Sequence, residues 1–208
     1  IRPNASGSYF DLHTPDGIDK NQFFNQLGMH NLSNALVALA MASKAGLLVE
    51  DLAKSLASFP GVERRLQVLI NEKNRVLIDD YAHHPTEIKA VYETLKLSFP
   101  ADEKCVVFQP HLFSRTQDFM TDFATALSLF DRVLLLDIYP ARELPIEGVS
   151  SGVLKEMISG PSVELVTKKE LANRLSSVDE RIIVLLGAGD IGLEVEGIKH
   201  KLLYDEAL

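Results

Sequence analysis

The 208-residue sequence has a single cysteine, no apolar stretch close to the roughly twenty residues a membrane-spanning helix requires, and no excess of basic charge. One thiol cannot build a disulfide framework within the chain. Cys105 lies in the apolar run Cys105-Val106-Val107-Phe108, where a buried, inert thiol is expected and a reducing, cytoplasmic compartment fits. Twenty-one basic against twenty-nine acidic residues leave a formal charge of -8, spread along the chain, which argues against a nucleic-acid binder. An anionic ligand must then be held by a few locally placed Arg, Lys, His or backbone N–H groups, because the global field repels it. No signal-peptide pattern opens the chain, and it carries no internal repeat or low-complexity tract. It starts at Ile1 rather than Met, and Ile1-Arg2-Pro3-Asn4 reads like the middle of a domain, so a missing upstream part is expected.

What is present suffices for folding: 46% hydrophobic residues over this length can bury a real core, in one large or two small domains. Ser8 to Leu12 and Phe23 to Leu27 read as short strands separated by the turn-prone Thr14-Pro15-Asp16-Gly17, finishing an upstream sheet. An Ala- and Leu-rich helix follows from Asn31, as N-cap, to Lys44-Ala45-Gly46, and a second runs from Glu50 to Ser58. Phe59-Pro60-Gly61 breaks the pattern, and the spacing predicts domains over 1–65 and 66–208. From Leu66 onward short apolar strands alternate with amphipathic helices: 76–78, 85–99, 106–108, 116–130, 133–138, 152–158, 163–166, 168–175 and 182–186. That is the pattern of an α/β domain with a doubly wound, mostly parallel, Rossmann-like sheet covered on both faces. Ligands of such sheets sit beyond the carboxyl ends of the strands, so the residues after each apolar run matter most.

After the first of these strands comes Asp79-Asp80-Tyr81-Ala82-His83-His84-Pro85-Thr86-Glu87. Thr86 or His84 as a cap, Pro85 in the first turn and Glu87 at the helix dipole explain part of it. Adjacent carboxylates and paired imidazoles are costly to desolvate without partners, which favours a site in which an Asp holds ribose hydroxyls and a His meets a metal or an anion. After the next strand, Gln109-Pro110-His111-Leu112-Phe113-Ser114-Arg115-Thr116 places Ser114 as an N-cap and Arg115 near a helix N-terminus, where a guanidinium suits phosphate or carboxylate. Asp137 to Glu143 reads equally as solvated loop or site. Gly187-Ala188-Gly189-Asp190-Ile191-Gly192 matches GxGxxG, but no further strand or acidic residue about twenty positions on follows it. A tight turn with Asp190 capping a terminal helix is favoured over a nicotinamide site. Arg64 and Arg65 stand in the linker, either as a solvated charge run or as cations that a closing motion carries onto a polyphosphate. Asn31 and Asn34 share one helix face in His30-Asn31-Leu32-Ser33-Asn34-Ala35, where capping competes with reading an adenine edge.

Together these motifs resemble the Mur ligase family of ATP-dependent amide-forming enzymes over essentially the whole chain. His30 to Ala35 is similar to the family's HNxxNA helix start, Gly61 to Arg65 to its interdomain arginine motif, and Asp79-Asp80 to its post-linker aspartate. The two long motifs, Asp79 to Glu87 and Phe108 to Thr116, resemble the branch that joins L-alanine to UDP-N-acetylmuramate. The branch that recycles murein tripeptide shares the first of them. A non-catalytic nucleotide-binding module is the competing class. The resemblance implies that residues 1–65 end a central ATPase-type α/β domain, and that an acyl phosphate forms with ATP and Mg2+. It implies adenine contacts from Asn31 and Asn34 with His30 beside them, phosphate contact from Arg65 and ribose contact from Asp80. It places His83 and Arg115 on the muramoyl or amino-acid side, where a cation screens developing negative charge. Leu112 stands where many members carry a basic residue, which shifts the substrate-side anion contact toward Arg115. The UDP-binding domain, the glycine-rich phosphate loop and the magnesium-binding residues of the family have no counterpart here, so turnover by this chain alone is not expected.

Overall fold

The computed structural model describes residues 1–15 and 17–204, the side chains of Val49 and Glu50 apart. Asp16, expected in the first turn, lies outside the described residues. The chain divides into two compact units: Ile1–Val62 with Glu93–Pro100, and Glu63–Tyr92 with Ala101–Leu208. The division falls inside the linker, before the expected boundary after Arg65, because the backbone around Arg64 and Leu66 is hydrogen-bonded to the strand end at Asp80 and Tyr81.

In the first unit, β1 (Arg2–Asn4), β2 (Gly7–Thr14) and β3 (Gly17–Phe24) form an antiparallel meander. β3 stops at Phe24, short of the Leu27 expected. Phe10 and Phe24 point inward and meet Leu32 and Ala35 of α1 (Met29–Lys44), with Leu56 of α2 (Val49–Ala57) packed against them. The end of α1 follows its composition. Gly46 takes φ 94°, its N–H and that of Leu47 return to Ser43 O and Ala42 O, and the last turn closes in a Schellman arrangement.

The second unit is a six-stranded sheet of β4 (Gln67–Asn71), β5 (Val76–Asp80), β6 (Lys104–Phe108), β7 (Arg132–Leu135), β8 (Ser162–Leu165) and β9 (Ile182–Leu186), in the order β4-β5-β9-β6-β7-β8. Every neighbouring pair is parallel except β4 with β5. The connections carry α3 (Pro85–Ser98), α4 (Phe113–Asp118), α5 (Met120–Leu127), α6 (Ser151–Met157) and α7 (Lys168–Ser176), and α8 (Val195–Tyr204) follows β9. Strands β5, β6 and β9 are buried at every position, which is why they read as continuous apolar runs. Leu77, Val107 and Leu185 face Leu171 and Leu175 of α7 and Ile198 and Leu202 of α8. The alternate residues face the other way, where Phe108 meets Phe123 of α5 at 5.3 Å. Each such side chain stabilises the fold by roughly 1.5–3 kcal/mol.

Three elements of this unit differ from expectation, β4 among them, since no strand was expected over 67–71. Residues 116–130 form two helices joined at Phe119, whose ring turns to meet His84 at 4.7 Å. β7 stops at Leu135 rather than Ile138, because Pro110 opposite has no N–H to extend the ladder; pairing resumes in a single bridge between His111 and Tyr139.

Candidate functional site

The register of β5, β9 and β6 sets Asp80, Leu186 and Phe108 side by side, so the loops that leave these strands start together. β5 ends in two buried carboxylates with different partners. Asp80 accepts from Leu66 N and Ala82 N, both at 2.7 Å, and is only 4% exposed. Asp79 Oδ2 accepts from Arg64 Nε at 3.1 Å, while Oδ1 is buried with no hydrogen-bond partner among the described residues. Burial pushes the Asp79 carboxyl above its ordinary range, against the pull of Arg64. Arg64 Nη2 also donates to Gly187 O at 2.5 Å. Arg65 is exposed, its guanidinium 5.9 Å from the Tyr81 ring centroid.

Beyond this base, His83, His111 and Arg115 gather. His83 Nδ1 lies 2.9 Å from Tyr81 O, which can only accept, so that nitrogen carries the proton. Its ring is 6.3 Å from that of His111. Arg115 Nη1 is 3.4 Å from His111 Nδ1, and since a guanidinium only donates, this nitrogen holds a lone pair. Partial burial, then Arg115 and His83, press the His111 pKa below its usual value. His111 stacks on Tyr139 at 5.6 Å. The sequence marked His111 only as a member of the Phe108 to Thr116 motif, with no role of its own. The expected site residues of the second unit therefore sit in one neighbourhood: Arg65 and Asp80 at its base, His83 and Arg115 meeting over His111.

The start of α3 matches expectation, with Thr86 N donating to His84 Nδ1 at 3.4 Å, and the other caps differ. α3 starts at Pro85, and Glu87 Oε2 reaches back to His83 N and His84 N at 2.9 and 3.1 Å, in the manner of a capping box. Ser114 is not an N-cap. α4 starts at Phe113, which makes the Ser114 amide one of the orphan donors, and it is met with its hydroxyl by Glu143 at 2.9 and 2.5 Å. These two bonds hold the Glu143 carboxyl below its ordinary value. Leu112, which precedes α4, takes φ 72° and donates its N–H to Tyr139 O.

The GxGxxG segment is packed by the protein itself. A Cβ at Gly187 would stand 2.9 Å from Gln109 O, one at Gly189 2.4 Å from Gln109 Oε1 and one at Gly192 2.8 Å from Arg64 Nη1. Those glycines make room for Gln109, Tyr139 and Arg64, not for a pyrophosphate, and no strand follows among the described residues. Asp190 opens a 3-10 turn, Asp190–Leu193, but its side chain does not cap it. It accepts from Gln109 Nε2 at 2.7 Å and pairs with Lys168, while Gln109 Oε1 takes the Ile191 N–H. Burial works to raise the Asp190 carboxyl, yet its bonds from Lys168 and Gln109 carry it below its ordinary value.

The first unit holds a separate feature, an apolar cavity of about 260 Å³ lined by Phe24, Ala35, Ala38, Leu56, Phe59 and Val62, with the amides of Gln26, Asn31 and Asn34 at its wall. Asn31 is not the N-cap: α1 starts two residues earlier after Gly28, and Asn31 Nδ2 donates back to Leu27 O at 2.9 Å. Asn34 is exposed one turn on, and His30 is exposed beside them. Among the described residues no three His, Cys, Asp or Glu side chains gather to hold a metal ion, and no helix is long and apolar enough to cross a membrane.

The family described as Mur ligase, glutamate ligase domain, matches residues 64–189. The UDP-N-acetylmuramate–L-alanine ligase of Christiangramia forsetii is 53% identical over 200 residues, covering 96% of this chain and 44% of that protein. The ligase of the same name from Flavobacterium psychrophilum is 53% identical over 202 residues, 97% of this chain and 45% of that protein. A crystal structure of a UDP-N-acetylmuramate–alanine ligase from Thermotoga maritima superposes with a TM-score of 0.78 at 25% identity, over 100% of this chain and 45% of that one. The chain thus spans less than half the length of the relatives it matches.

Proposed function

We propose, since the chain belongs to the Mur ligase family, that it is the C-terminal part of a cytoplasmic ligase that joins L-alanine to UDP-N-acetylmuramate at the expense of ATP, in peptidoglycan synthesis. The carboxylate of UDP-N-acetylmuramate takes the γ-phosphoryl group of ATP, giving an acyl phosphate and ADP. The amine of L-alanine then attacks the acyl carbon and phosphate leaves. Residues 1–65 are proposed as the end of the central ATP-binding domain and 66–208 as the C-terminal ligase domain. The ligands of Mg2+ and the UDP-binding surface are assigned to the part of the ligase outside this chain, which on its own does not turn over.

The observation that carries this reading is the gathering of His83, His111 and Arg115 at the ends of β5 and β6. Arg115 supplies a fixed positive charge for the carboxylate or acyl phosphate and takes on the anion contact for which Leu112 is unsuited. His111, whose Nδ1 lone pair faces Arg115 Nη1, orients that guanidinium toward the substrate. His83 faces the same substrates. In the first unit, the apolar cavity with Asn31 and Asn34 at its wall suits a purine, whose face packs on apolar side chains while its edge exchanges hydrogen bonds with amides; His30 stands beside it. Arg65 serves the ATP phosphates. Asp80, whose oxygens already hold two backbone amides, contributes to the ribose side chiefly by fixing the linker.

The test is ADP release by a full-length ligase carrying this sequence, with each substrate omitted in turn. Release that requires both UDP-N-acetylmuramate and L-alanine is expected. Release with a murein tripeptide in place of L-alanine would assign the chain to the recycling branch instead, and no release under any combination would leave a binding module.

A further inference from the structure

Arg65 sits between two residues with uncommon backbone geometry: Arg64 has φ 57° and Leu66 has φ 46°. Left-handed conformations are costly for a non-glycine residue and persist only where the surroundings impose them. Here both are imposed. The main chain of Arg64 is held by Gln67 Oε1, which accepts from Arg64 N at 3.0 Å, and by Tyr81 N, which donates to Arg64 O at 2.8 Å. Its guanidinium is held by Asp79 Oδ2 at 3.1 Å and Gly187 O at 2.5 Å, and lies so close to Gly192 that a methyl there would stand 2.8 Å from Nη1. Leu66 is 1% exposed, and its N–H donates to Asp80 at 2.7 Å. The side chain between these two anchors is the exposed one.

We infer that Asp79 and Asp80 form a two-sided brace that presents Arg65: Asp79 grips the residue before it through the Arg64 guanidinium, and Asp80 grips the residue after it through the Leu66 amide. Successive strand residues point to opposite faces, so only adjacent carboxylates at a strand end can reach both sides of one exposed residue. The glycine loop after β9 is the third part of the brace, its Gly187 carbonyl and bare Gly192 forming the seat for Arg64. Arg64 is then a positioning residue, and the glycine-rich segment after β9 serves a cation of the protein. A guanidinium on a pinned backbone meets a polyphosphate with less ordering to undergo than one on a free linker, so losing the brace weakens nucleotide use without touching the nucleotide. This inference rests on the proposed phosphate role of Arg65.

The experiment compares Arg65→Ala, Arg64→Gln, Arg64→Lys and Gly192→Ala in the full-length ligase by KM for ATP, kcat, affinity for UDP-N-acetylmuramate and Tm. Arg65→Ala is expected to raise KM for ATP about tenfold or more. Arg64→Gln and Gly192→Ala should raise it severalfold, with the affinity for UDP-N-acetylmuramate unchanged. Arg64→Lys should rescue little, because an ammonium cannot serve Asp79 and Gly187 in the same fork. The double variant Arg64→Gln, Gly192→Ala should be no worse than Arg64→Gln alone, since the methyl acts through the guanidinium. A raised KM for ATP in Arg65→Ala with normal values in both Arg64→Gln and Gly192→Ala, whatever their Tm, overturns the brace alone. A normal KM for ATP in Arg65→Ala overturns the phosphate reading and the brace with it.

Discussion

The two units prepare their ligand-side residues in opposite ways. In the first, Asn31 and Asn34 ride on a regular helix beside an apolar cavity, and shape supplies most of the discrimination. In the second, His83 and Arg65 stand on loops and Arg115 in the first turn of the short α4, a geometry enforced by buried carboxylates, backbone amides and glutamates at the helix starts. Neutral amides on a long helix need no special support, whereas side chains on loops and at the start of a short helix are useful only if something fixes them. The largest expected effect tests the second unit: Arg115→Ala should lower kcat by about 100- to 1000-fold, as loss of a charge aimed at a developing anion does, with little change in KM for ATP. If steady-state kinetics show the loss in KM for ATP instead, the division of labour fails. Next, Asn34→Ala should raise KM for ATP by about tenfold, the worth of one or two hydrogen bonds, and leave kcat near normal; isothermal titration with ATP analogues checks it independently.

The smallest effect concerns a carboxylate remote from the site. Glu164 accepts from Arg174 at 2.7 Å and pairs with Arg132, and the bonds from Arg174 hold its pKa below the ordinary value. A depressed carboxyl contributes stability above its unfolded pKa and loses it as pH falls through the folded one. Glu164→Gln should therefore lower Tm by about 2 °C at most at neutral pH, the pair being partly exposed and screened, and the gap from the parent should close on acidification. Calorimetry across pH would show a constant gap if the ion pair were irrelevant.

The strand and helix alternation beyond Leu66 was legible because strands buried on both faces must be apolar throughout, and β9 was bounded to the residue. Arg115 and His83 stood out for a physical reason, charge at the end of a buried strand, but their meeting over His111 depends on which strands are neighbours. β9 lies between β5 and β6, an order that no local pattern records. Caps were the weak point. Asn31, Ser114 and Asp190 are residue types that favour capping, yet each is displaced by a competitor: an earlier start at Met29, a glutamate from 29 residues away, and a glutamine from the β6 loop. Likewise the glycines of 187–192 signal close approach correctly; that the approaching groups are Gln109, Tyr139 and Arg64, the last over a hundred residues earlier, is visible only in the fold.

The central position of β9 has a consequence for how this half of the molecule comes into being. β4 with β5 and β6 with β7 and β8 are two fragments of a sheet, and only a strand made more than seventy residues after β6 joins them. On the ribosome, neither fragment can be completed until residues 182–186 have emerged, so the unpaired edges of β5 and β6 wait exposed during synthesis. The same insertion that assembles the histidines and arginines is the step at which this region is most open to mispairing.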